Sequence, residues 1–167
     1  LAMFHLITHA FFKALLFLCS GSVNHATHTF DMREMGGLRK YMPWTYGLML
    51  VSSLSLIGLP PLSGFWSKDE IMLSAWEKML HGSVFEITIF ALLAIGVVLT
   101  AFYTWRMISL TFHGEYRGND VGDGHGDHSI HESPGVMIAP MALLGVATVL
   151  AGFLTNPPVN VGPIHKH

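Results

Sequence analysis

The sequence predicts an all-α, polytopic transmembrane helix bundle in which one helix is discontinuous, broken by proline. Three observations carry that prediction. The 167-residue chain is 51% hydrophobic, with a mean hydropathy of +0.47. Only 12% of its residues are charged, against about 25% in a soluble domain. Its apolar residues stand in blocks of about 20, the length a helix needs to cross a bilayer at 1.5 Å per residue.

The first block covers about residues 1–22 and leads into a polar run, 21–28. It opens directly in apolar sequence, without the basic, apolar and cleavable order of a secretory leader, and so reads as the start of a fragment. The second begins at Pro43, whose missing N–H suits a first helical turn. It continues to residue 59, meets "PPLSGFW" and resumes over 67–80. Straight, residues 43–80 would reach about 57 Å, nearly twice the hydrocarbon thickness. Pro60 and Pro61 remove two backbone donors, and Gly64 loosens the chain. In "SKDE", Ser67 and Glu70 have the spacing of a capping box, which predicts a fresh helix start at Ser67. Two readings stand here. Either two half-helices are joined by an irregular link inside the membrane, or a complete span ends in water at residue 59 and a surface helix follows. The third block runs over 84–112 and the fourth over 135–154, ahead of "TNPPVNVGP", where prolines forbid continuation. Residues 113–134 form the loop between them.

Several function classes recede. A net charge of −2 and the lack of a basic stripe give no reason to expect a nucleic-acid partner. The single Cys19 leaves no internal disulfide or cysteine metal site, and reads as a small apolar helix residue. In the 113–134 loop, His125, His128 and His131 are loosely spaced among glycines and acids, the composition of a solvated connection, so no metal site is expected. Lysines and arginines near span ends set orientation. If the broken region crosses once, Arg33, Arg39, Lys40, Arg106 and Arg117 share one side, against Lys78 and Lys166. That bias predicts a cytoplasmic loop 23–42.

The chemistry is concentrated in "HLITHAFFKALLFL", where His5, His9 and Lys13 follow one another at intervals of four. Such residues shift by about 40° per step around a helix and form one slanting polar stripe. A charge at the bilayer centre costs about 2.5–3.5 kcal/mol on insertion scales, so the stripe is expected to face a bundle interior or water. Each group also has an ordinary reading. A lysine near a helix end can snorkel to headgroups, and a buried histidine can hydrogen-bond a neighbouring helix. Three together suit a proton relay, because imidazole both donates and accepts and a desolvated lysine releases its proton readily. Lys68, with Asp69 and Glu70, would sit at the positive end of a half-helix starting at Ser67, or else belong to a solvated cap. Haem is not expected, because His5 and His9 point the same way whereas two axial ligands come from separate helices.

Five ordered blocks carry a resemblance: "HLITHAFFKALLFLCSGSV", "MGGLRKYMPWTY", "SLIGLPPLSGFWSKDEI", "YTWRMISLTFHGEYRG" and "HESPGVMIAPMALLGVATVLAGFL". Together they resemble the antiporter-like L subunits of proton-pumping NADH–quinone oxidoreductase, respiratory complex I, over essentially the whole chain. The resemblance implies a proton-translocating membrane subunit of a bacterial inner membrane, matching the later part of a second inverted repeat and the helices after it. It implies that Lys13 is the central lysine of a half-channel, with His5 and His9 as relay groups. Lys68 would be the lysine of the discontinuous helix, with Asp69 beside it near the proton exit. This favours the break at "LPPLSGF" over the surface helix. NADH, flavin, iron–sulfur clusters and quinone would belong to partner subunits, leaving this chain without a cofactor and surrounded by lipid, water, protons and other subunits of the complex. The family's first half-channel and lateral helix are missing from these residues, so the chain alone is not expected to pump. The alternative is the large subunit of a multisubunit Na⁺/H⁺ antiporter, which shares the fold and the lysines.

Overall fold

The computed structural model describes residues 2–118 and 130–155, without the side chains of residues 2 and 153–155. His125 and His128 lie outside the described residues. Five α-helices follow in order: α1 (Ala2–Thr27), α2 (Pro43–Ile57), α3 (Ser63–His81), α4 (Val84–Phe112) and α5 (Gly135–Thr155), with a short 3₁₀ turn at Leu38–Lys40. No strand occurs among the described residues. Segments Met3–Thr27, Val84–Phe112 and Gly135–Gly152 are long and apolar enough to cross a membrane, and α2 is a shorter apolar helix.

α1 runs on through the polar residues 21–27, farther than composition alone suggests. The extension is held by packing: Ser22 is buried and its hydroxyl meets Thr45 Oγ1 at 2.9 Å and Ser133 Oγ at 2.6 Å. α2 starts with Pro43 in its first turn. The missing cap there is supplied from far along the chain. The Glu132 carboxylate accepts from the backbone N–H of Trp44 (2.8 Å) and Thr45 (3.4 Å) and from the Thr45 hydroxyl (2.6 Å). An anion at a helix N-terminus is favoured by both the open N–H groups and the dipole.

α1, α2, α3 and α5 pack closely together, while among the described residues the backbone of α4 comes near α2, α3 and the 3₁₀ turn. The centre is apolar, with Phe12, Leu15 and Cys19 of α1 against Met49 and Leu56 of α2, Ile108 and Phe112 of α4 and Met141 of α5. Thr8 and Phe12 turn inward on α1, whereas Leu6 and Phe17 remain exposed. The loops after α1 and after α4 meet at one end. Arg117 donates to the carbonyls of Arg33 (3.1 Å), Met32 (3.2 Å) and Leu110 (2.8 Å), and Gly37 N–H donates to the His113 carbonyl.

The α2–α3 connection corrects one expectation. α3 begins at Ser63, after the extended residue Leu62, and Ser67 is not its cap. Ser67 is a buried residue inside the helix. The capping box belongs instead to α4, where Ser83 and Glu86 satisfy one another's neighbouring backbone N–H groups. Tertiary contact moved the start of α3: the Ser55 hydroxyl accepts from Gly64 N–H at 3.1 Å and meets Ser63 Oγ at 3.2 Å.

Candidate functional site

The site lies where α1 passes the break between α2 and α3. α2 ends at Gly58, whose φ of 92° few residues other than glycine adopt. Gly58 N–H and Leu59 N–H both turn back to the Leu54 carbonyl, at 3.1 and 3.0 Å, closing the helix in a Schellman-type turn. The chain then passes through the cis Pro60–Pro61 bond to α3. Gly64 sits so close to α2 that a Cβ there would overlap the Ser55 carbonyl.

Lys68 is the sixth residue of α3, and helical side chains tilt toward their own N-terminus. Its ammonium accordingly reaches back to the last carbonyls of α2, donating to Leu56 O and, at 3.5 Å, to Ile57 O. The expectation of Lys68 at the positive end of a half-helix is therefore corrected. Its charge rests on the negative end of the preceding helix, where the dipole and the open carbonyls both stabilise an ammonium. Asp69 is exposed. With Lys68, Phe65, Met72 and Val97 it borders a shallow recess of about 150 Å³.

His5, His9 and Lys13 are all half-buried on α1. The imidazoles of His5 and His9 are 5.6 Å apart between centroids, and His9 stands edge-on to Phe12 at 5.1 Å. His5 Nδ1 meets the Ser67 hydroxyl at 3.0 Å, directly joining the stripe to the residue before Lys68. Thr8 Oγ1 donates toward the same hydroxyl at 3.1 Å. The positive charges of Lys13 and Lys68 are near enough to act on one another and on His9. Four of the five residues singled out in the sequence thus belong to one neighbourhood, and Asp69 stands on its outer edge.

A cavity of about 450 Å³ opens between α1, α3 and α4. His5 and Lys68 are the ionisable groups in its wall, Thr100 adds a hydroxyl, and Met72, Leu92 and Val97 are among the apolar side chains. It is large enough for several waters, and the two ionisable groups supply polar partners for them. Among the described residues no three metal-type ligands converge. His131 is exposed, with Nδ1 3.0 Å from the carbonyl oxygen of Glu132.

Composition did not single out the hydroxyls. Ser67, Thr8, Ser55 and Ser63 are buried and link α1, α3 and the end of α2. A signal for them existed. Thr8 falls on the histidine side of α1, and Ser67 directly precedes Lys68.

The family profile described as NADH:quinone oxidoreductase/Mrp antiporter, transmembrane, matches residues 1–100. The NADH-quinone oxidoreductase subunit L of Neisseria meningitidis is 46% identical over 178 residues, covering 99% of this chain and 26% of that protein. The subunit L of Rhodobacter capsulatus is 47% identical over 165 residues, covering 92% of this chain and 22% of that protein. The chain thus spans about a quarter of the length of the curated relatives it matches. Among solved structures, a chain of the membrane-bound sulfane sulfur reductase, an archaeal respiratory membrane complex, superposes with a TM-score of 0.74 at 28% identity, over 90% of this chain and 23% of that one.

Proposed function

This chain belongs to the NADH:quinone oxidoreductase/Mrp antiporter transmembrane family, and from that premise we propose that it is the proton-conducting part of an L-type subunit of an NADH–quinone oxidoreductase. In this reading protons move among Lys13, His9, His5 and Lys68 through water, with Asp69 at the outer edge of the path. NADH oxidation and quinone reduction occur in partner subunits, which hold the flavin and iron–sulfur clusters, and charge changes reach this chain through the shared membrane arm. The protein is integral to a membrane; in this reading it sits in a bacterial inner membrane with loop 23–42 on the cytoplasmic face, which the bacterial sources of relatives and the basic residues support.

The observation that supports this most is the hydrogen bond between His5 and Ser67, which joins the ionisable stripe of α1 to the lysine-bearing helix beside a cavity. Imidazole and amine are the side chains able to take and release a proton in such a place. The two imidazole centroids are 5.6 Å apart, and in this reading water carries the proton between the rings. The relatives' names favour the oxidoreductase over the antiporter complexes that the family also includes.

The test is Lys13→Ala in the full-length subunit, with the assembled complex in proteoliposomes. Proton translocation per NADH is expected to fall while electron transfer to an artificial acceptor continues. Undiminished translocation would remove Lys13 from the path.

A further inference from the structure

Ser67 is 1% exposed and Thr8 is fully buried, so this hydroxyl pair lies out of reach of bulk solvent. Three groups surround the Ser67 oxygen: His5 Nδ1 at 3.0 Å, Thr8 Oγ1 at 3.1 Å and the Gly64 carbonyl at 3.4 Å. A serine hydroxyl offers one donor and two acceptor positions, and that set fits every state of His5. When Nδ1 carries a proton, it donates to Ser67 Oγ, whose own hydrogen turns to the Gly64 carbonyl. When Nδ1 is bare, Ser67 donates to it, and the Thr8 hydroxyl donates to Ser67. No state leaves a buried polar atom unpaired, and the backbone need not move.

We propose that Ser67 is a positioning residue for His5: its reversible hydroxyl holds Nδ1 inside the bundle in each protonation state and leaves Nε2 as the nitrogen that exchanges protons with the cavity. The proposal rests on the proton-path reading of His5. It assigns Ser67 no proton transfer of its own. The titratable groups beside His5 are His9 on its own helix, with ring centroids 5.6 Å apart, and Lys68 on α3, with Lys13 one turn beyond His9, while α4 brings Thr100 as a polar side chain of the cavity wall. Which ring nitrogen is free is fixed by the hydrogen bond at the other, and here that bond comes from the residue adjoining Lys68.

Threonine and valine have nearly the same shape and differ by the hydroxyl, so Ser67→Thr and Ser67→Val in the full-length subunit of the assembled complex separate hydroxyl from packing. The direct readout is the rate at which diethyl pyrocarbonate modifies His5, resolved by mass spectrometry of the His5 peptide. With Thr the rate should stay within about twofold of the native protein. With Val it should change by about two- to tenfold, the range a single neutral hydrogen bond supplies, and proton translocation per NADH should fall by a similar factor. Equal His5 reactivity in the Thr and Val variants would overturn the proposal. Because the label reports on the imidazole itself, that outcome is distinct from undiminished pumping in Lys13→Ala, which would instead overturn the proton path.

Discussion

The α2–α3 break and the middle of α4 solve opposite problems. α4 is 29 residues without interruption, and every backbone group in its interior is paired within the helix. It needs nothing from its neighbours, and over its most apolar stretch none of it is buried by the rest of the chain. Val98 is 68% exposed and Phe102 67%. The break, by contrast, opens backbone groups at the end of α2 and the start of α3; in the proposed reading these lie within the membrane, where each unpaired one would cost several kcal/mol. Ser55, Ser63, Ser67 and Lys68 gather around those groups. The comparison teaches that polar side chains collect in this fold where the backbone is interrupted. A proton-handling group placed there also has a structural partner.

The sharpest contrast is between two glycines. At Gly64 a Cβ would overlap the Ser55 carbonyl, whereas at Gly96 in α4 it would meet nothing within 4 Å. Gly64→Ala should therefore cost about 1–3 kcal/mol through forced displacement at the break. Gly96→Ala should be neutral or stabilising by up to about 1 kcal/mol through helix propensity. Thermal unfolding of the full-length subunit in detergent measures both, and equal effects would break the comparison.

Lys68 comes next. Lys68→Met takes the ammonium from the carbonyls of Leu56 and Ile57, and hydrogen bonds involving a charge contribute about 1.5–3 kcal/mol. Amide exchange in the 54–64 segment should accelerate about 10- to 150-fold, while the interior of α4 keeps its native rates. Lys68→Arg keeps a charge in reach and should fall between. Unchanged exchange in the methionine variant would mean that the ammonium does not hold the end of α2.

The smallest effect is expected at the far end of α2. Glu132→Ala removes the cap from Trp44 and Thr45 and should cost about 0.5–2 kcal/mol, as a lost N-cap does. Exchange should quicken in the first turn of α2 and not at the break. A change at both ends would show that α2 responds as one unit.

Part of this was legible in the residues. Pro43 marks the start of α2, and Pro60–Pro61 mark an interruption, because proline acts through its own backbone whatever surrounds it. The stripe of His5, His9 and Lys13 was legible for the same reason, since helical spacing fixes a face. What escaped depends on contacts distant in sequence. Ser67 has the spacing of a cap in "SKDE", yet Ser55 and Ser63 move the helix start to residue 63. The same shift carries Lys68 onto the carbonyl end of α2 and reverses the sign of the dipole it meets. Glu132 lies 88 residues from the Trp44 N–H it caps, beyond any local pattern. The extension of α1 to Thr27 likewise depends on Ser22 meeting Thr45 and Ser133.

The account stands on water reaching the ionisable groups at the break. Hydroxyl-radical footprinting of the assembled complex in membranes reads this directly, because radicals made from water label only what water touches. Met72, in the wall shared with His5 and Lys68, should be labelled well above Leu99 on the outer side of α4 once each is corrected for intrinsic reactivity. Met72 as protected as Leu99 would mean a dry cavity, and contradict it.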